Sequence, residues 1–331
     1  LFFIKIFTKA KILIYLKMNK IEFGLRIPTF PINDSRGRKF IEEIISFLKG
    51  IGEYFDSGWV DDHFVPWATF VPPKVDHLEC WTTISYLSGM FSKMKFGSIV
   101  LCNSYRNPAL VAKMSSTLNV LTNGRFILGI GAGWKEDEYI AYGYDFPKPS
   151  IRIKQLEEAV QIIKLLWSKD NVSFNGKYYK IKNAYCNPKP IVPMPLMIGG
   201  GGEKLTLKVV AKYADWWNLA NPTLEEYKRK ANILRDYCEK NNREYDEIKK
   251  TIAGLISIDR DYDKAYRLAL KSPYVNKENI KSVFIGDPDK IIEKIIDFVS
   301  EGVEYFIFRF LDFPKTDGAE IFAEKVITEF K

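Results

Sequence analysis

From Glu22 onward, short runs of apolar residues alternate with longer stretches in which apolar positions recur at helical spacing. That arrangement is expected when parallel strands are joined by amphipathic helices. Eight runs read as strands: Glu22 to Ile27, Ser57 to Val60, Phe96 to Leu101, Arg125 to Ile130, Pro195 to Ile198, Asp215 to Leu219, Thr251 to Ile258 and Glu304 to Arg309. Eight such units over this length fit an α/β fold of the TIM (β/α)8 barrel type better than an open doubly wound sheet.

Helix boundaries are written in the same text. Asn107-Pro108 and Asp287-Pro288 each place a capping residue before a proline at the first helical position. Thr223 with Glu226 three residues later reads as a capping box. Leu156, Ala159, Val160, Ile163 and Trp167 form one apolar stripe, as on an outer-ring helix packed against a barrel. The connection between strands four and five is long, from Gly131 to about Met194, and adds a hairpin: Val172 to Phe174, a turn at Asn175-Gly176, then Lys177 to Ile181. Excursions on the C-terminal side of barrel strands shape active sites.

Residues 1–17 are apolar but interrupted by Lys5, Lys9 and Lys11, too short and too charged for a spanning helix and without a small-residue cleavage site. They are read as an extension ahead of a start at Met18, an amphipathic surface helix being the other reading. Residues 18–331 are then one barrel domain.

Composition narrows the class. A chain 47% hydrophobic and 27% charged is globular, not disordered. Its net charge of +8 comes from 49 basic residues interleaved with 41 acidic ones, without an arginine-rich block or finger spacing. This points away from nucleic acid and toward a small-molecule substrate, with a preference for anions. Cys80, Cys102, Cys186 and Cys238 lie far apart with no C-x-x-C spacing, arguing against disulfides or a thiolate metal site and for a reducing cytoplasm.

In a barrel the informative residues stand just past each strand. Asp61-Asp62-His63-Phe64-Val65-Pro66-Trp67 follows the second strand, and His63 is one of only two histidines. An imidazole there can shuttle a proton near neutral pH, tuned by a neighbouring carboxylate; the structural alternative is a histidine bonded to a loop carbonyl. Gly199, Gly200, Gly201 and Gly202 lie between a strand and a helix expected from Lys204 to Tyr213, the context in which unobstructed main-chain amides hold phosphate. Gly129-Ile130-Gly131-Ala132-Gly133-Trp134, followed by Glu136, Asp137 and Glu138, is a weak dinucleotide fingerprint. Close approach of backbone to a flat ring is the better reading. No metal motif is present.

The stretches Asn107-Pro108-Ala109, Leu121 to Gly129, Gly131 to Trp134, Arg152 to Trp167, Phe174 to Tyr179, Pro195 to Gly202 and Ala214 to Asn218 together resemble the bacterial-luciferase-like superfamily of flavin and deazaflavin oxidoreductases. The resemblance runs from Met18 to the C-terminus. Asp62-His63-Phe64 with Pro66-Trp67 is similar to the active-site loop of members that use coenzyme F-420. It implies that His63 and Trp67 are catalytic, beside a deazaflavin ring, with Asp62 at the cofactor. It also implies a non-prolyl cis peptide at Ile99-Val100 behind the ring, with Cys102 and Gly131 near it, and a phosphate on Gly199 to Gly202. The expected activity is hydride transfer with coenzyme F-420 and an unknown organic substrate. The alternatives are an FMN monooxygenase using reduced flavin and dioxygen, and a non-catalytic flavin-binding protein. A homo-dimer or larger homo-oligomer is implied. One departure stands out: the F-420-dependent glucose-6-phosphate dehydrogenases carry a glutamate after the strand-four glycines, and here that position is Trp134.

Overall fold

The computed structural model describes residues 20–331, so the proposed extension before Met18 lies outside the described residues. Eight parallel strands form a closed cylinder: β1 (Glu22–Arg26), β2 (Ser57–Val60), β3 (Lys95–Ser98), β4 (Phe126–Gly131), β5 (Leu196–Gly199), β6 (Trp216–Ala220), β7 (Lys249–Ile258) and β8 (Tyr305–Phe310). Each pairs with the next, and β8 closes on β1 with Leu25 opposite Phe308. The order expected from the hydrophobic runs is the order observed. Two additions were not visible in those runs. Leu101–Cys102 pairs separately with β4, and Phe284–Gly286 pairs with the far end of β7.

Helices cover the outside: α1 (Gly37–Ile51), α2 (Cys80–Met90), α3 (Pro108–Leu121), α4 (Glu136–Ala141), α5 (Pro149–Ser168), α6 (Thr206–Tyr213), α7 (Leu224–Lys240), α8 (Tyr262–Lys271), α9 (Pro288–Val299) and α10 (Asp317–Phe322). Their starts follow local chemistry. Asn107 accepts from the Ala109 amide at 2.9 Å and Asp287 from the Lys290 amide at 3.0 Å, each satisfying a donor that the first turn leaves open. Thr223 accepts from the Glu226 amide at 3.2 Å, the forward half of the expected box.

Two of the apolar clusters among the described residues build the barrel. The larger lies between cylinder and helices and includes Leu156, Val160 and Ile163 of the stripe on α5. The smaller fills the cylinder: Trp59, Ile127, Met197, Tyr305 and Ile307 are each at most 3% exposed. Trp59 occupies so much of this space that a Cβ on Gly24 would come within 2.6 Å of its Nε1. Interiors of this kind are packed layers, not pores, and binding is left to the rim.

At the rim, the long excursion between β4 and β5 differs in detail from expectation. Its hairpin strands are Val172–Asn175 and Lys180–Ala184, with a turn over residues 176–179 instead of at Asn175-Gly176. The cause is Glu158 on α5, whose carboxylate accepts from the amides of Lys177, Tyr178 and Tyr179 at 2.8–3.0 Å and so holds a wider loop. The helix expected from Lys204 starts at Thr206, because Leu205 is outside the helical region (φ −130°, ψ −53°).

Candidate active site

A cavity of about 610 Å³ opens at the C-terminal mouth of the cylinder, within the range of small-molecule and cofactor sites. Asp62, His63, Trp67, Ile99, Val100, Cys102, Gly131 and Gly199 to Gly202 all line it. Residues drawn from four separate stretches of sequence thus meet in one place. So do Trp134 and several residues that the sequence did not assign to a site: Arg26, Arg152, Asn218, Glu226 and Lys230.

The floor is set by the end of β3. The Ile99–Val100 peptide is cis, as the resemblance implied, and the expected strand through Leu101 is broken there. Val100 projects between two neighbouring strands. A Cβ on Gly131 would lie 2.8 Å from one of its methyls, and a Cβ on Gly199 would lie 2.9 Å from both. These two glycines therefore make room for Val100, which closes the cavity from below.

His63 is positioned by a residue whose role the sequence did not reveal. Its Nδ1 lies 2.8 Å from Oε2 of Glu138 on α4, a carboxylate 1% exposed. The amides of Phe64 (2.5 Å) and Val65 (3.2 Å) donate to Glu138 Oε1, and the Tyr105 hydroxyl donates to Oε2 at 2.8 Å. Burial alone pushes the Glu138 carboxyl upward, but the bonds from His63, Phe64 and Tyr105 outweigh it and hold the group below its ordinary value. An ionised Glu138 can only accept, so Nδ1 carries the proton and Nε2 is left as the unshared ring nitrogen. The partner is thus a carboxylate, not the loop carbonyl of the structural alternative. Trp134 stands edge-on to the imidazole, ring centres 5.5 Å apart.

Trp67 is fixed from the other side. Its indole N–H donates to Asp61 Oδ2 at 3.2 Å, and the guanidinium carbons of Arg26 and Arg309 lie 5.2 and 5.5 Å from its ring centre. Burial disfavours the Asp61 carboxylate, yet Arg26 and Arg309 hold it well below the usual carboxylate range.

Asp62 and Cys102 reach the cavity wall with their polar groups already engaged. Both Asp62 oxygens accept from Arg106, at 2.8 and 2.9 Å, and Oδ2 also accepts from the Cys102 amide at 2.8 Å. Asp62 therefore ties the end of β2 to the segment after β3. The Cys102 thiol lies 2.8 Å from the Tyr139 hydroxyl, and burial pushes it up to about 11. It is a neutral thiol at physiological pH.

The glycine corner lies across the mouth, at the ends of β5 and β6. Gly200 takes φ +128°, where a side chain would be strained. Its amide donates to Asn218 O at 3.0 Å and its carbonyl accepts from the Trp217 indole at 2.9 Å, anchoring the loop. Among the described residues, the amides of Gly201 and Gly202 meet no acceptor. Beside them lies Lys230 on α7, paired with Glu226 at 2.6 Å. A Cβ on Gly201 would stand 2.6 Å from Lys230 Nζ, so the corner and the ammonium share one small space. Unobstructed amides with an adjacent cation fit the phosphate of a flavin-type cofactor.

A closed eight-stranded barrel with a ring-sized cavity at its mouth, an anion corner on one side and an oriented imidazole on the other has the build of a cofactor-dependent oxidoreductase. Residues 54–283 match the luciferase-like monooxygenase family, and the chain belongs to it. Among curated relatives, the F420-dependent glucose-6-phosphate dehydrogenase of Amycolatopsis mediterranei (strain U-32) is 28% identical over 77% of this chain and 84% of its own length. The FMNH(2)-dependent dimethylsulfone monooxygenase of Pseudomonas fluorescens (strain Pf0-1) is 26% identical over 71% of this chain and 73% of its own. The solved structure of an F420-dependent secondary alcohol dehydrogenase in complex with an F420-acetone adduct aligns with a TM-score of 0.78 at 23% identity, covering 93% of this chain and 98% of that one. At that identity the likeness shows the barrel fold. No helix among the described residues is long and apolar enough to cross a membrane.

Proposed function

We propose that the protein is an oxidoreductase that binds coenzyme F-420 at this cavity and transfers hydride to or from a small organic substrate. The observation that carries the reading is the state of His63. Among the described residues lining the cavity, the other groups able to exchange a proton are engaged: Asp61 with Arg26 and Arg309, Asp62 with Arg106, Glu226 with Lys230, Tyr105 with Glu138, Cys102 with Tyr139, and Lys135 with Asp137. His63 Nε2 is the unshared site.

When bound, the deazaflavin supplies a hydride donor or acceptor at its ring. The amides of Gly201 and Gly202, with Lys230, would hold its phosphate, and Val100 would support its ring. Trp67 shapes the wall of the reaction space, held there by Asp61. Glu138 keeps the His63 Nδ1–H in place, so that Nε2 takes a proton from, or returns one to, the substrate oxygen as hydride moves. General acid–base help of this kind contributes roughly 10²- to 10⁴-fold. With Trp134 where the glucose-6-phosphate dehydrogenases carry a glutamate, a single imidazole does the proton work, which favours a substrate other than glucose 6-phosphate.

The four cysteines are unpaired and buried, which supports a cytoplasmic setting. Exposed Tyr86 and Met90 on α2 and Leu110 and Leu121 on α3, consecutive outer helices, support self-association as a homo-dimer or larger. Parallel titration of the purified protein with coenzyme F-420 and with FMN tests the cofactor. Tighter binding of coenzyme F-420 is expected, and preference for FMN would favour the monooxygenase alternative.

A further inference from the structure

Opposite the glycine corner, the ends of β1, β2 and β8 build a buried group of charges that does not balance. Leu25 pairs with Phe308, which puts Arg26 and Arg309 at one level on neighbouring strands. Arg26 pairs in register with Trp59, whose side chain fills the cylinder, so its own side chain is directed inward at the mouth. Both guanidiniums lean on one carboxylate: Arg26 Nη2 at 3.2 Å and Arg309 Nη2 at 3.3 Å share Asp61 Oδ2 with the Trp67 indole. Asp61 Oδ1 is taken by the Thr29 hydroxyl at 2.6 Å. Two positive charges therefore face one negative charge in a buried wall.

The two arginines differ in what remains. Arg309 is 2% exposed, gives its other Nη to the Tyr274 hydroxyl at 2.9 Å, and does not reach the cavity. Arg26 does reach it, and Asp61 is its one hydrogen-bond partner among the described residues; the Nε of each arginine is buried without an acceptor, so Arg26 is set apart by its place on the cavity and its single partner. Burial and the repulsion of Arg309 both act against its charge. An uncompensated buried charge is costly, and an oxyanion in the cavity against the guanidinium of Arg26 offsets that cost. His77 adds no charge to the balance: its Nε2 is 3.7 Å from Asp61, but burial pushes the imidazole below its ordinary value and favours the neutral form.

We infer that Arg26 is a substrate-binding residue, and that the substrate carries an anionic oxygen group, a carboxylate or a phosphate, which docks on this guanidinium beside Trp67. Its role as a substrate site rests on the cofactor reading above, because a cofactor anchored at the β5–β6 corner leaves the β1–β2–β8 side of the mouth for the substrate.

The test is calorimetric titration with inorganic phosphate and with acetate, on wild type, R26Q and R26K, each with and without bound coenzyme F-420. Wild type is expected to bind at least one anion, R26Q to lose about tenfold or more in affinity, and R26K to fall between them, since a point charge replaces a fork. Coenzyme F-420 affinity should stay within about twofold, as Arg26 is remote from the phosphate corner. Stronger binding of phosphate assigns a phosphate ester, and stronger binding of acetate a carboxylate. An anion held at the glycine corner is insensitive to R26Q, so only loss on mutation counts. Anion affinity equal in wild type and R26Q, or no anion binding by wild type, overturns the inference. If R26Q does not fold, R26K decides, and affinity equal to wild type overturns it. If coenzyme F-420 fails to bind but anion binding still depends on Arg26, the anion site stands and the cofactor reading falls.

Discussion

Replacing Glu138 with glutamine keeps the shape of the side chain and exchanges one oxygen for an amide nitrogen at a position 1% exposed. Either orientation of the amide meets donors. With nitrogen at the Oε1 position it faces the amides of Phe64 and Val65, which cannot turn away. With nitrogen at the Oε2 position it faces the Tyr105 hydroxyl, which can rotate to accept, and His63 Nδ1, which can accept if the ring proton moves to Nε2. The second arrangement is the cheaper one. E138Q should therefore fold, at a cost of about 1–3 kcal/mol for the lost charge-assisted bonds, and hold His63 in the opposite tautomer. Nε2 would then be protonated at neutral pH and unable to accept, so turnover should fall by roughly 10²-fold or more. Nitrogen NMR of the imidazoles reads the tautomer directly, and with two histidines in the chain the H77Q variant assigns the spectrum. An E138Q protein with the wild-type His63 tautomer and turnover within twofold of wild type would show that Glu138 does not set the state of His63.

Four further outcomes are expected. H63A should leave coenzyme F-420 affinity within about tenfold while lowering turnover by about 10²-fold or more; titration and steady-state kinetics separate the two effects. G201D puts a carboxylate into the space shared by the corner and Lys230, and should weaken coenzyme F-420 binding by at least about 10²-fold, read by titration. G131A drives a methyl into Val100 and should cost about 1–3 kcal/mol in denaturant melts. Glu138 and Asp61 are both held below their ordinary values of 4.5 and 3.8. As pH falls past those values the unfolded chain binds protons before the folded one does, so unfolding free energy should decline between about pH 5 and pH 2, with E138Q showing a shallower decline.

The barrel was legible because each strand is a short apolar run and each helix start carries a capping residue. The edge strand Phe284–Gly286 was not, being three residues long and set within a loop. The hairpin turn was misplaced because Asn-Gly is a strong local signal that a distant carboxylate, Glu158, overrides. In the site, His63 and the glycine corner could be found as residues at strand ends. Glu138 could not be told from Glu136 and Asp137 beside it, since only the phase of α4 buries one of the three acids. Arg26 and Arg309 left a usable trace: a charge at or near the C-terminal end of a barrel strand, the lone one in the case of Arg309, is a site signal. Lys230, on the outer helix α7, left none.

The proposed activity requires a ring lying on Val100 between the glycine corner and His63, and a crystal structure of the protein with coenzyme F-420 bound examines that arrangement directly. The expected result is a phosphate on the amides of Gly201 and Gly202 beside Lys230, with the ring against Val100 and its reactive edge toward His63 Nε2. A phosphate found instead against Arg26, or a ring facing away from His63, would contradict it.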